Sequence, residues 1–551
     1  MKIVIPMSGF GERFRRAGYT VPKPLIPVEG KPIIAHVLEL FPGEEDVLFI
    51  CNRDHLEATG LAMAETLRRL RPSAEIAAIE PHKLGPVYAV AQVSERLDAD
   101  QPTIVNYCDF ACYWDYAHFK RFVAETACDG AIPAYRGFHP HSLGAGTYAY
   151  MREQDGWVRD IQEKTPFTAT PLAEYASSGT YYFASGEILR NAVAECLRQG
   201  LEVGGEHYVS LAYKPMLEEG RAVAVYELQH FMQWGTPEDL AEYERWSRAF
   251  ARLGRGRRAP PRQVGAVMVP MAGLGARFAA AGYEVPKPLI PVSGEPMVVQ
   301  AVADLPQAEQ RVFVLRRDLP GLDEITGALR ARYPESRLVM LEAPTDGQAR
   351  TCLLAMDGLD PERPLTIGAC DNGALYDAAA FEALLAAPES DVLVWAARGH
   401  PGAARQPQAY GWLESDGDRI SRVSVKTPLA APATDPIVIG AFTFKRARDF
   451  VAAAERMIER EARVGGEFYI DTCINDAIAL GLTCRLFEVD HYLCWGTPDE
   501  LRSFEYWQSC FHKWPAHGYR LECDGDVPAV ARAALERRYA AFEPPWPGPR
   551  P

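Results

Sequence analysis

Two short segments of the chain hold the residue types best suited to chemistry. The first, Gly9-Phe10-Gly11-Glu12-Arg13, follows directly on the apolar run Ile3–Pro6. Its glycines let the backbone turn tightly and aim successive N–H groups at one ligand, and the adjacent arginine suits phosphate oxygens. Alone, Gly-x-Gly-x-Arg is a weak signal, lacking both the Gly-Lys-Ser/Thr of a P-loop and the third glycine of a dinucleotide fingerprint. The second segment, Pro22-Lys23-Pro24-Leu25, places its lysine ten residues beyond Arg13. Flanking prolines stiffen the backbone there, so the lysine can set a fixed point charge on a phosphate. No Ser/His/Asp or Cys/His constellation accompanies these segments. The chemistry indicated is handling of phosphate charge rather than attack by a protein nucleophile.

Both segments occur twice. Residues 5–28 (IPMSGFGERFRRAGYTVPKPLIPV) and 269–292 (VPMAGLGARFAAAGYEVPKPLIPV) are identical at 17 of 24 positions. Later landmarks recur in order: Lys23 is followed by Lys287 after 264 residues, Asp109 by Asp371 after 262, and Lys164 by Lys426 after 262. Gly-Gly-Glu at 204–206 and Trp-Gly-Thr-Pro at 234–237 both return after 261. A period this long marks duplicated domains, not a solenoid of short repeats.

Gly-x-Gly-x-Arg followed by Pro-Lys-Pro-Leu-Ile-Pro-Val resembles the signature of the sugar-nucleotidyltransferase superfamily, the nucleoside-diphosphate-sugar pyrophosphorylases and related cytidylyltransferases. The resemblance runs through both copies, about nine-tenths of the chain. It implies that Gly9, Gly11 and Arg13, with Gly273, Gly275 and Arg277, hold nucleotide phosphates. It implies that Lys23 and Lys287 stabilise the transition state and that Gly85 and Gly347 contact the base. Asp109 and Asp371 would bind Mg2+. Lys164 and Lys426 would grip the acceptor phosphate, the first preceded by Glu163 and the second by Val425. Glu206 and Glu467, in Gly-Gly-Glu-x-Tyr, would line the acceptor pocket or make a structural hydrogen bond.

The chain also departs from that pattern. Many family members carry a second metal-binding aspartate two residues before a late Gly-Thr, where this chain has Gln233 and Cys494. Neither is the carboxylate that magnesium favours, leaving one aspartate per copy unless Asp115 or Asp377 substitutes. The base loops differ as well, Lys83-Leu-Gly-Pro in one copy and Thr345-Asp-Gly-Gln-Ala in the other. His139 and His141 offer a metal pair or a specificity or surface loop, and the second copy keeps only His400 there. The bland alternatives are a helix cap for a lone strand-end aspartate and a surface position for a lone lysine.

These residues need elements to position them. β-rich runs (Val47–Ile50, Thr103–Asn106, Val312–Leu315, Val392–Trp395) alternate with helical stretches (Leu56–Leu70, Ala379–Leu385). That alternation predicts α/β architecture. We expect two tandem Rossmann-like nucleotidyltransferase domains, each a mostly parallel sheet flanked by helices with ligands at the strands' carboxyl ends. Expected boundaries are 1–250 for the first, 251–263 for an Arg/Gly/Pro linker, 264–505 for the second, and 506–551 for a C-terminal extension. In that extension Val527–Phe542 reads as a helix and the Pro-rich end as a frayed tail.

Composition bounds the partners. At 551 residues, 48% hydrophobic and net charge −15, the chain reads as a globular protein without broad attraction to nucleic acid or an anionic membrane. It shows no secretory signal and no bilayer-length apolar run. Its twelve cysteines include no Cys-x-x-Cys pair, which suits reduced thiols in the cytoplasm. The expected function is coupling an NTP to a phosphorylated sugar or alcohol with release of pyrophosphate, for cell-surface polysaccharide synthesis, with homo-oligomerisation open. The alternatives are a nucleotide- or sugar-phosphate-binding regulatory protein, one active copy with one regulatory copy, and a nucleotide-sugar glycosyltransferase.

Overall fold

Lys2–Met7 is buried at all six positions, as a strand must be when both faces of its sheet are covered. The computed structural model describes residues 1–551 except Thr59, Ala145, Thr147, Arg257, Arg258, Leu274 and Glu543. Lys2–Met7 pairs in parallel with Val47–Asn52 on one side and Thr103–Asn106 on the other, and Val47–Asn52 pairs in parallel with Glu75–Ile79. Helices cross between these strands, which keeps their carboxyl ends together at one edge.

Beyond Thr103–Asn106 the sheet is mixed. Thr180–Phe183 runs antiparallel to both Thr103–Asn106 and Gly130–Tyr135, and Val223–Glu227 returns parallel to Gly130–Tyr135. The hairpin Ala149–Gln154 and Trp157–Glu163 extends the far edge to Tyr175–Ser177. The parallel character expected from the alternation therefore belongs to the half of the sheet bearing the glycine loop.

The second sheet repeats this order with nine strands in place of ten: Arg337–Leu341, Gln307–Arg316, Arg262–Pro270, Leu365–Ile367, Ile437–Phe444, Val392–Ala397, Cys484–Glu488, Arg419–Val425 and Gly411–Asp416. Ile437–Phe444 is one strand where the first copy has two, kinked between its pairings with Val394 and Ala396. The duplication read from the sequence is thus present as matching topology.

Contacts divide the chain into two units, Met1–Ser247 with Lys513–His517 and Ala540–Pro551, and Arg248–His512 with Gly518–Tyr539. The division falls inside the helix Pro237–Leu253, and the strand Arg262–Pro270 begins within the stretch expected to link the domains. Arg257 and Arg258 of that stretch lie outside the described residues, as does Glu543 of the tail.

Two local expectations change. Leu56–Leu70 is not one helix but Arg53–Glu57 and Met63–Leu70, the second capped by left-handed Ala62. The tail is also packed rather than frayed. Trp157 Nε1 donates to Gly548 O (3.0 Å), Trp546 lies 5.2 Å from the Phe122 ring, and Arg550 pairs with Asp129 (2.7 Å). Prolines deprive the tail of a helix but leave aromatic surface and carbonyls to dock.

Candidate functional site

Strand Lys2–Met7 ends at the sheet edge and delivers Ser8–Gly11 there. Gly11 sits at φ 63, a left-handed cap that starts the short helix Glu12–Arg16 and that a side chain would strain. Pro22 and Pro24 bracket Lys23, which opens the single 3₁₀ turn Lys23–Leu25 and aims its side chain inward. Its Nζ lies 2.9 Å from Asp109 Oδ2, just past strand Thr103–Asn106. Burial alone would lower the lysine's pKa, but Asp109 and Cys108 outweigh it and raise it. The ammonium is therefore held charged.

These groups form one wall of a cavity of about 570 Å³. Gly9, Gly11, Arg13, Lys23, Gly85 and Asp109 line it. Glu163, Lys164 and Glu206 line it as well. All nine expected residues of the first copy thus share one chamber. Gln233 lines it too. A β-carbon on Gly235 would stand 2.8 Å from Gln233 Nε2 and 3.1 Å from Asp109 Oδ2, so glycine keeps the space between the two open.

Lys164 sits at φ 60, a conformation that costs a non-glycine residue and persists where surroundings enforce it. Its backbone N–H donates to Tyr148 O (2.8 Å) and its amine to the Tyr208 hydroxyl, which in turn donates to Glu206. Glu163 accepts from Ser210 Oγ at 2.6 Å, and burial raises its carboxyl pKa. Tyr208 is the tyrosine of the recurring Gly-Gly-Glu-x-Tyr, a signal of place without a role, whereas Ser210 belongs to no recurring motif.

Gly85 also has a structural task. Its β-carbon would lie 2.7 Å from both His207 N and His207 O, because His207 N–H donates to Leu84 O and Val87 N–H donates to His207 O. The second copy repeats the clasp at Gly347, with Phe468 N–H donating to Asp346 O and Ala349 N–H to Phe468 O.

In the second copy Lys287 Nζ lies 2.5 Å from Asp371 Oδ2 and 3.3 Å from Gly496 O. Gly275 caps its helix at φ 65 as Gly11 does, beside exposed Arg277. Between Gly273 and Gly275, Leu274 lies outside the described residues. Lys426 repeats the left-handed backbone at φ 57 and donates to Tyr469 OH (2.7 Å), while Glu467 is exposed at the Val464 bridge. Val425 takes the place of Glu163, but a carboxyl returns one element away. Asp471 stands where the first copy has Ser210, and burial pushes it up to about 6.

Other candidates resolve differently. Asp115 and Asp377, considered as replacement acids, cap helices by accepting from His118 N and Ala379 N. His141 contacts Tyr135 OH (2.9 Å), and His139, driven down to about 4 by burial, packs on the Tyr135 ring. Both histidines are buried rather than part of a surface loop.

The family model described as nucleotidyl transferase matches residues 2–243. Among curated proteins the chain is 28% identical over 251 residues to the bifunctional protein GlmU of Paraburkholderia xenovorans, covering 44% of this chain and 51% of that one. It is 34% identical over 254 residues to the GlmU of Ralstonia pickettii, with the same coverage. The mannose-1-phosphate guanylyltransferase catalytic subunit beta of Danio rerio is 25% identical over 249 residues, 44% of this chain and 62% of its own. The chain thus spans about half the length of the bacterial relatives it matches. A solved nucleoside-diphosphate-sugar pyrophosphorylase from Vibrio cholerae aligns at 21% identity over 43% of this chain and 98% of its own, with TM-score 0.36. A likeness at that score adds nothing to the topology already described.

Proposed function

We propose, on the premise that residues 2–243 belong to the nucleotidyl transferase family, that the first-copy cavity joins an NTP to a phosphorylated sugar or alcohol and releases pyrophosphate. One observation carries this reading. The glycine loop, Lys23, Asp109 and the Glu163–Lys164 pair, separated in sequence by up to about 150 residues, line a single cavity.

An acceptor phosphate held by Lys164 attacks the nucleotide α-phosphorus in line. The bond to the bridging oxygen breaks, and pyrophosphate leaves with its electron pair. Arg13 and Lys23 offset the charge that develops on the phosphoryl oxygens. The Tyr208–Glu206 contact fixes the Lys164 amine before substrate arrives, which lowers the ordering cost of the reaction. Glu163, its carboxyl raised and supported by Ser210, is placed to hydrogen-bond an acceptor hydroxyl.

Magnesium is implied by the family, and the Asp109 carboxylate is the hard oxygen donor that would hold it. Gln233 turns its amide nitrogen toward the opening at Gly235, so water and the nucleotide phosphates would supply the remaining oxygen ligands. A bound ion there would supply charge neutralisation to the nucleotide phosphates. Synthesis of cell-surface polysaccharide in the cytoplasm is the context proposed for the product. Among the described residues no helix is long and apolar enough to cross a membrane.

A second reading, one working copy beside one regulatory copy, is favoured by Val425 and Cys494 in the second half. The test is magnesium-dependent pyrophosphate release across the four NTPs and a panel of sugar, polyol and amino-alcohol phosphates. Turnover of one matched pair supports the proposal. Nucleotide binding without turnover on any pair overturns it.

A further inference from the structure

The position that falls to Gln233 in the first copy holds a thiol in the second, and the surroundings of that thiol differ in kind. Cys494, His400 and Glu500 present a sulfur, an imidazole nitrogen and a carboxylate oxygen that all lie within 4.8 Å of one another. His400 Nε2 is 3.5 Å from Glu500 Oε1. His400 and Cys494 are each only 6% exposed. We propose that these three residues form a binding site for a borderline transition-metal ion of the Zn2+ class, separate in kind from the magnesium chemistry proposed for the first copy.

The donor set selects the ion. Thiolate and imidazole favour zinc and its neighbours over magnesium, which prefers oxygen donors alone. Metal–ligand bonds of about 2.0–2.3 Å place paired donors slightly closer than the separations here, so small side-chain adjustments complete the site. Zinc binding replaces the Cys494 thiol proton, which leaves to solvent as the sulfur–metal bond forms.

The supporting shell is already in place. Thr497 Oγ1 donates to Glu500 Oε2 (3.0 Å) and Tyr410 OH to Glu500 Oε1 (2.8 Å). Tyr492 OH donates to Cys494 Sγ (3.2 Å). Such partners orient ligands and hold their geometry before the ion arrives.

Three protein ligands leave one position of a tetrahedral ion for a further donor. The space a β-carbon on Gly496 would fill is bounded by Asp371 Oδ2 (3.3 Å), Cys494 Sγ (3.6 Å) and Glu500 Oε2 (3.7 Å). That space gives the fourth position to a water or to a ligand's phosphate oxygen, beside the Lys287–Asp371 pair. The first copy has the same three positions 261 residues earlier, occupied by His139, Gln233 and Asp239. It lacks the thiolate, and an amide does not replace one, so the site belongs to the second copy.

The test uses the full chain, stripped with a chelator and reloaded with Zn2+ or Co2+. One equivalent of zinc should survive desalting, and the cobalt form should show an intense near-ultraviolet thiolate-to-metal band. Cys494→Ser should abolish the band and bring retained zinc close to zero. Glu500→Gln, which keeps side-chain length, should weaken zinc binding tenfold or more. His512→Gln, in the group of half-buried His512 with exposed Glu522 and Glu536, should change neither reading. Because a buried variant can fail to fold, the wild-type band is itself decisive, and its absence overturns the site. Persistence of the band in Cys494→Ser, or its loss in His512→Gln, does the same.

Discussion

Lys164 holds a left-handed backbone and an amine tied to Tyr208, so its charge is already positioned at the cavity. Lys164→Met keeps most of the packing and removes the charge. It should raise the acceptor KM by about tenfold or more, the scale of one lost charge-assisted hydrogen bond, with the NTP KM little changed. Steady-state kinetics with each substrate varied in turn checks this. Asp471 makes a different prediction. Its folded-state carboxyl, at about 6 against an ordinary 3.8, keeps a proton the unfolded chain has already lost. Its contribution to stability is therefore complete below about pH 4 and disappears as pH rises through 6. At 1.4 kcal/mol per unit this is on the order of 2–3 kcal/mol. Urea melts of wild type and Asp471→Asn from pH 4 to 8 should differ by that falling step, and parallel curves would contradict it. The motif residues were legible because their types and spacing repeat. Asp471 and Ser210 were not, because only the folded chain brings them to positions facing Glu163 or its absent counterpart.

Among the elements, the glycines separate fold from function. Gly85 has φ 87 and a backbone neighbour 2.7 Å from any β-carbon, so Gly85→Ala should cost more than about 1 kcal/mol by loosening the clasp to His207. Nothing lies within 4 Å of a β-carbon on Gly9, so Gly9→Ala should leave the melting temperature within a degree or two while raising the NTP KM. Thermal melts paired with kinetics distinguish the two. Alternation of strands and helices was readable because buried parallel strands are continuously apolar through their middles, as in Lys2–Met7 and Val47–Asn52 between the terminal Lys2 and Asn52. The antiparallel Thr180–Phe183 was not, since a four-residue run of threonine and aromatics does not reveal its direction or neighbours. The break in Leu56–Leu70 depends on left-handed Ala62, a conformation alanine does not announce.

Across the whole molecule, the same strand order appears twice, as the nearly constant offset of the landmarks required. The destination of the tail was hidden because prolines signal the end of helices and not the surface they meet. Removing residues 540–551 should destabilise the first unit by about 1–3 kcal/mol through the unpaired Trp157 indole, or roughly 2–4 °C per kcal/mol in calorimetry. The central claim is that the first-copy cavity performs nucleotidyl transfer. Its most direct test is magnesium-dependent pyrophosphate release by wild type, Lys23→Ala and Lys287→Ala on the best NTP and acceptor pair. The account predicts a loss of about a hundredfold or more for Lys23→Ala, as for removal of a transition-state donor, and near-wild-type turnover for Lys287→Ala. Full activity in Lys23→Ala, with loss confined to Lys287→Ala, would contradict it.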